Sequence, residues 1–312
     1  MTLSLFDSPS SFDKEALSRR LRALTEQRIF IGTSSWKYSG WIDQIYTRDR
    51  YLSRGKFSQK RFEAECLAEF AETFPIVCGD FSFYQFPTAD FWQKLFATAP
   101  PQLKFALKVP EEVTVEVFPR HPRYGPRAGR SNELYLNVDA FRTLFLEPLE
   151  PYRSRIACLI FEFGARGTGA GEFVTQIASF FDVLPPTFRY AVEVRNRDYL
   201  VDSYFEMLRE HQTAHVFNAW TKMPPVYEQI LMPGAFTADF SVVRAQLRAG
   251  RAYETAVAQF APYNRIQDEN PEERKALRDV IKRMQEERRC AYIFVNNRFE
   301  GNSPDTIRAV IE

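Results

Sequence analysis

Tyr190-Ala191-Val192-Glu193-Val194-Arg195 is a strand-like run that carries two opposite charges two residues apart. Residues i and i+2 of a strand point to the same face. Glu193 and Arg195 therefore share a face with small Ala191, while Val192 and Val194 form the opposite, apolar face. Charges this close to a core are costly unless they are paired or put to use. The segment is either an ion pair that fixes the strand or part of a site. The choice depends on whether other strands end the same way.

Working outward, further strand-like runs occur at Ile29–Ser34, Ile76–Phe83, Leu103–Val109, Ile156–Phe163, Ala214–Phe217, Phe240–Arg244 and Ala291–Asn296. They are short and rich in Val, Ile, Phe and Tyr, as buried parallel strands are. Helical patterns at Lys60–Phe74, Ala89–Ala97, Val138–Leu146, Gly171–Val183, Asp202–His211, Pro271–Arg289 and Pro304–Ile311 separate most of them. The crossover Ala219–Asp239 is proline-rich and weakly helical. Eight βα units predict an α/β fold, a (βα)8 TIM barrel spanning 29–312 as a single domain. Residues 1–28 form an N-terminal extension with a helix over Lys14–Thr25. An open doubly wound sheet is the competing architecture, but no glycine-rich phosphate-binding turn follows any strand.

The two-residue parity of Glu193 recurs. Ala106 pairs with Lys108, Ile160 with Glu162, and Cys78 with Asp80 and Ser82. The seventh strand ends at Arg244 and the eighth at Asn296-Asn297. Each polar residue comes late in its strand, so a parallel barrel would set Asp80, Lys108, Glu162, Glu193, Arg195, Arg244 and Asn296 around one mouth. This is the face on which barrel sites are built. The ring suits a polar ligand pocket better than a structural polar layer, although either is compatible with the pattern. Glu162 and Glu193, on adjacent strands, could form an acid/base pair. Alternatively, each carboxylate neutralises Lys108, Arg195 or Arg244. Trp36, Tyr38, Trp41 and Tyr84 follow the first two strands and could stack on a sugar or base.

Composition narrows the classes. The 312 residues are 45% hydrophobic, with 29 Phe and 14 Tyr, enough for a large core, and the net charge is +1. The chain as a whole is no electrostatic match for nucleic acid or an anionic membrane. Its four cysteines form no CxxC, which suits a reducing compartment. The first residues do not read as a secretory signal, and no run approaches a membrane span. The expectation is a soluble cytoplasmic protein with no membrane partner. Three histidines, in no ligand spacing, argue against a metal, and no cofactor is implied. Two long connections, Pro110–Asn137 and Ala245–Asn270, would lie on the mouth side. The first contains the loop 119–130, with Arg120, Arg123, Arg127 and Arg130 and no acid of its own. Such a cluster can contact phosphate or nucleic acid, or be a solvated surface loop.

Ile31-Gly-Thr-Ser-Ser-Trp-Lys-Tyr-Ser-Gly-Trp41 resembles the opening strand of the YecE-like family, whose function is unknown. Phe83-Tyr84 with Pro87 and Trp92, Phe105-x-x-Lys108, Ala191-Val-Glu-Val-Arg195, Arg244 and Phe294-Val-Asn-Asn297 with Gly301 match its later motifs in order. The resemblance covers residues 29–312. It implies a TIM barrel with a pocket at the C-terminal end of the strands, lined by Lys108, Glu193, Arg195, Arg244, Asn296 and Asn297. It implies no known reaction. This chain departs from the family pattern at several points. Cys78 and Asp80 stand where the family has Glu and Asn, and Glu162 where it often has Gln. Asn196 replaces a His, and Gln246-Leu247 replaces a His-Gly.

Three readings follow. The first is a metal-independent enzyme acting on a small anionic or polyhydroxy substrate, such as a sugar or nucleotide phosphate. Glu193 would transfer the proton with Glu162 or Asp80 as partner, Lys108, Arg195 and Arg244 would hold negative charge, and Asn296 and Asn297 would fix hydroxyls. The second is a nucleic-acid-binding protein or nuclease using loop 119–130. The third is a non-catalytic ligand-binding scaffold. Nothing in the sequence sets an oligomeric state.

Overall fold

A computed structural model describes residues 12–164 and 167–312. Among the described residues ten strands form in chain order: β1 (Ile29–Thr33), β2 (Leu52–Ser53), β3 (Lys56–Phe57), β4 (Ile76–Gly79), β5 (Lys104–Lys108), β6 (Ile156–Phe163), β7 (Tyr190–Val194), β8 (Ala214–Ala219), β9 (Phe240–Ala245) and β10 (Cys290–Val295). β2 and β3 make a small hairpin. The other eight close into a barrel in the order β1-β10-β9-β8-β7-β6-β5-β4. All its ladders are parallel, and helices surround it. This is the (βα)8 TIM-barrel fold that the alternation of apolar runs and helical patterns predicts.

Ring closure rests on a glycine. β1 meets β4 through the single pair Thr33↔Val77. A Cβ at Gly32 would lie 1.8 Å from the carbonyl oxygen of Ile76, so any side chain there would hold the two strands apart.

The parity of the sequence becomes the two faces of the sheet. Val192, Val194, Phe161, Leu107 and Val243 belong to the layer between strands and helices. Ala106, Ile160, Ala191, Val242 and Phe294 fill the barrel interior, with Cys78 and Cys158. All four cysteines are free and buried. In that interior the apolar residues sit low and the charged ones late in the strands, as the alternation requires.

The helix Lys14–Glu26 starts at Asp13, whose carboxylate accepts from Ala16 N. Leu17 and Leu21 are buried in the main core, and Ser18 Oγ donates to Glu72 O at 2.8 Å.

Three elements differ from the periodicity. The second barrel strand ends at Gly79 rather than Phe83, because Asp80–Phe83 turns on itself, with Phe83 N donating to Asp80 O. The helical pattern over Val138–Leu146 is α-helical only to Phe141. It then widens into a π-turn at Arg142–Leu146, ahead of Pro148, which has no N–H to continue the ladder. The connection after β9, expected as loop, contains the helix Tyr253–Phe260. Leu247 anchors it by packing with Ala256 and Phe260.

Candidate active site at the barrel mouth

Glu162 and Glu193 are register partners on β6 and β7, so their backbones lie about 4.8 Å apart. Two carboxylates this close repel unless cations sit between them. Arg244 crosses the barrel from β9 to do this. It is fully buried, and its Nη1 donates to Glu193 Oε2 at 2.5 Å and Glu162 Oε2 at 3.2 Å, while Nη2 reaches Asp80 Oδ1 at 3.1 Å. Arg195 Nη2 donates to Glu162 Oε2 at 2.8 Å and to Gln246 Oε1 at 2.9 Å. It also lies 2.7 Å from Glu193 Oε1, without the alignment of a hydrogen bond. Lys108 Nζ sits 2.9 Å from Glu162 and 3.8 Å from Asp80, above the ring of Phe83 at 3.6 Å. Three cations and three carboxylates thus close on one another.

Titration behaviour follows from this geometry. Burial alone would raise the Glu162 carboxyl, but Arg195, Lys108 and Arg244 outweigh it and hold it well below the usual carboxylate range. Burial likewise works against the charge of Arg244, and Glu193, Asp80 and Glu162 more than reverse it. The Cys78 thiol beside them is pushed up to about 12 by burial.

Next to this network lies an open cleft of about 310 Å³, between the ends of β1, β4 and β10. Ser34, Trp36, Lys37, Tyr38, Asp80, Asn296, Tyr253 and Arg298 are among its lining residues. Asp80 belongs to both regions. Its Oδ1 is held by Arg244, its side chain is 38% exposed, and Oδ2 makes no hydrogen bond to any described residue. Asn296 caps the short helix Asn297–Glu300, its Oδ1 accepting from Arg298 N at 2.9 Å. Burial raises the Tyr38 hydroxyl pKa, and the nearby charge of Arg298 opposes the rise. A roomier groove of about 500 Å³ lies elsewhere, among the helices Lys14–Glu26, Pro271–Glu286 and Ser303–Ile311, and contains none of these residues.

The structure therefore brings Asp80, Lys108, Glu162, Glu193, Arg195 and Arg244 into one cluster, with Trp36, Tyr38 and Asn296 beside it. Asn297 lies apart from this lining. Its Oδ1 accepts from Trp41 Nε1 and from Ser303 N, tying down the loop after β1. Tyr84 is 55% exposed, against Arg123. Loop 119–130 has no acid of its own, but the preceding turn supplies two. Arg123 pairs with Glu111 at 2.5 Å and Arg127 with Glu112 at 3.4 Å, while Arg120 and Arg130 are exposed. The histidines are scattered: His211 contacts Asp182 and His215 faces Tyr204, on the helix side of β8. Among the described residues no three His, Cys, Asp or Glu side chains group so as to hold a metal ion, and no helix is long and apolar enough to cross a membrane.

Sequence reasoning missed Ser34, Tyr253 and Arg298 in the cleft, and Gln246 and Trp220 beneath Arg195. Trp220 lies 3.7 Å from the Arg195 guanidinium. The signal for Gln246 was its place in Gln246-Leu247, one of the departures from the pattern of the family this chain resembles; its Oε1 accepts from Arg195.

The family described as a protein of unknown function, DUF72, matches residues 30–312. The chain belongs to this family, the YecE-like proteins. Two solved DUF72 structures share the fold. The protein from Enterococcus faecalis V583 is 18% identical over 91% of this chain and 95% of its own, with a TM-score of 0.59. The protein from Thermotoga maritima MSB8 is 18% identical over 90% and 97%, with a TM-score of 0.56. No curated protein matches significantly. At these identities the likeness concerns the barrel alone.

Proposed function

We propose that this DUF72 protein is a metal-independent enzyme that performs proton transfer on a small anionic or polyhydroxy substrate bound in the cleft between β1, β4 and β10. One observation supports this above the rest. Asp80 has one oxygen fixed by Arg244 and the other turned to no described protein group, at the edge of an aromatic-walled cleft. A positioned carboxylate with one oxygen left to the ligand is the arrangement of a general base. Trp36 and Tyr38 supply apolar faces for a sugar ring, and Asn296 lines the same cleft.

The roles within the carboxylate trio separate by exposure. Glu193 is fully buried between two arginines and acts by holding them. Glu162 stays ionised under three cations and supplies a fixed negative charge rather than a transferable proton. Asp80 alone of the three lines the cleft. The nucleic-acid reading draws less support, because Glu111 and Glu112 neutralise half of the loop's arginines.

The test is proton exchange into D2O followed by NMR, with a panel of free and phosphorylated aldoses and ketoses and with EDTA present. Wild type should exchange a carbon-bound proton of at least one member, and Asp80→Asn should slow this by about 10²–10⁴-fold. Exchange at an unchanged rate in Asp80→Asn, or exchange abolished by EDTA, would overturn the assignment.

A further inference from the structure

The charges of the mouth are unevenly matched. Lys108, Arg195 and Arg244 all lie within 4 Å of carboxylates in the network. Arg298, in the cleft, has no carboxylate within 4.0 Å among the described residues. It lies over the ring of Tyr253 at 4.5 Å, and its Nε is buried with no hydrogen-bond partner. Ser34, also lining the cleft, is 3% exposed and its Oγ has no partner. Lys37 lines the same wall. Buried donors without partners are rare in folded proteins and mark places where a ligand can supply the acceptor.

We propose that Arg298, with Ser34 and Lys37, forms a phosphoryl subsite, so that the substrate is a phosphate monoester with its sugar-like part on Trp36 and Tyr38. This rests on the reading of the cleft as the substrate site. Five cations of the mouth (Lys37, Lys108, Arg195, Arg244 and Arg298) face three carboxylates (Asp80, Glu162 and Glu193). Two positive charges remain, matching a phosphate monoester, which carries about −1.5 to −2 near neutrality; a carboxylate would leave one uncompensated. A planar guanidinium held on an aromatic ring presents a fixed fork to phosphate oxygens. Arg195 Nε and Nη1 and Arg244 Nε also lack hydrogen-bond partners, but the charges of these strand-end cations are already matched by carboxylates, so the anion is received by the arginine beyond the strand end.

Calorimetric titration of the full chain with inorganic phosphate tests this. Wild type should bind it. Arg298→Gln should weaken binding about 10- to 100-fold and Ser34→Ala about 3- to 10-fold. Arg298→Lys, which keeps the charge and loses the fork, should fall between wild type and Arg298→Gln, and it serves if the glutamine variant fails to fold. Lys94→Gln, on an exposed helix, controls for net charge and should leave the affinity unchanged. Equal phosphate affinity in wild type and either Arg298 variant overturns the subsite. So does a wild type that ignores phosphate while binding an unphosphorylated sugar with Asp80-dependent exchange. That second result would leave the cleft reading intact, whereas failure of the cleft reading shows as exchange indifferent to Asp80→Asn.

Discussion

The barrel mouth has two halves made from similar residues, and they differ in closure. On the β5–β6–β7–β9 side, Lys108, Glu162, Glu193, Arg195 and Arg244 satisfy one another's charge in a buried network. On the β1–β4–β10 side, Asp80 and Arg298 face an open cleft, and Arg298 has no carboxylate within 4.0 Å among the described residues; unpartnered atoms occur on both sides, Arg195 Nε and Nη1 among them, but only here do they border open space. A closed ion network is poor evidence of a ligand site, because its charges are already committed, and breaking it mainly costs stability. Open, partly unmatched polarity beside aromatic walls is the stronger sign of binding. The charged ring is thus best understood as a rigid floor and the cleft as the working surface.

The strongest challenge to this division is Arg244→Met. It removes a fully buried guanidinium from three carboxylates and leaves Glu193 dependent on Arg195. We expect a loss of about 3–5 kcal/mol in urea unfolding. A Glu193→Leu change added to it should restore part of that loss, because the stranded charge goes too. Glu193→Gln should also destabilise measurably, since it uncouples two arginines at once. Unchanged unfolding midpoints would mean that the network is not a structural floor. Asp80→Asn is the counterpart in the cleft. With its side chain 38% exposed, it should cost less than about 1 kcal/mol of stability while slowing the proton exchange by about 10²–10⁴-fold.

How far the sequence foretold these halves depends on distance along the chain. Period-two alternation is local, so the inward placement of Lys108, Glu162, Glu193 and Arg244 was legible from single strands, and with it the barrel. Their pairing was not, because Arg244 reaches Glu193 over 51 positions, Glu162 over 82 and Asp80 over 164. Arg298 escaped because it lies past the end of β10, where alternation no longer says which way a side chain points. The acids that quiet the basic loop sit 12 and 15 positions before their arginines, outside any window centred on the loop. Asn297 shows the same limit from the other side: its place at a strand end matches the pattern, and alternation could not foretell that its Oδ1 accepts from Trp41 and Ser303.

A buried carboxylate outside the mouth sharpens the rule that cations keep the floor charged. Glu273, at the start of helix Pro271–Glu286, is buried and accepts from the backbone N–H of Val226. Burial pushes its pKa up to about 7, whereas Glu162 under three cations is held low. The two act on stability with opposite signs. The folded state keeps a proton on Glu273 that the unfolded chain releases near 4.5, so its contribution is full below that pH and is lost as pH rises through about 7. Glu162 contributes above its unfolded value, and that contribution is lost as pH falls below it. Glu273→Gln should flatten the decline of unfolding free energy between pH 4.5 and 7 by on the order of 2 kcal/mol. A wild-type profile already flat across that window would contradict the assignment.

The smallest effects belong to the basic loop, where the comparison of closed and open charge applies once more. Arg123 and Arg127 are matched by Glu111 and Glu112, whereas Arg120 and Arg130 are exposed. Replacing the latter pair with Gln should change stability by less than about 0.5 kcal/mol. Phosphate titration in the cleft should not respond, since neither residue lines it. A nucleic-acid role predicts something else: duplex affinity that falls steeply with salt, with a log–log slope that shrinks by about two in the double variant. Exposed arginines without buried, partnerless donors beside them have nothing to fix a backbone in register, and the slope experiment asks whether two exposed charges suffice where the cleft offers a built pocket.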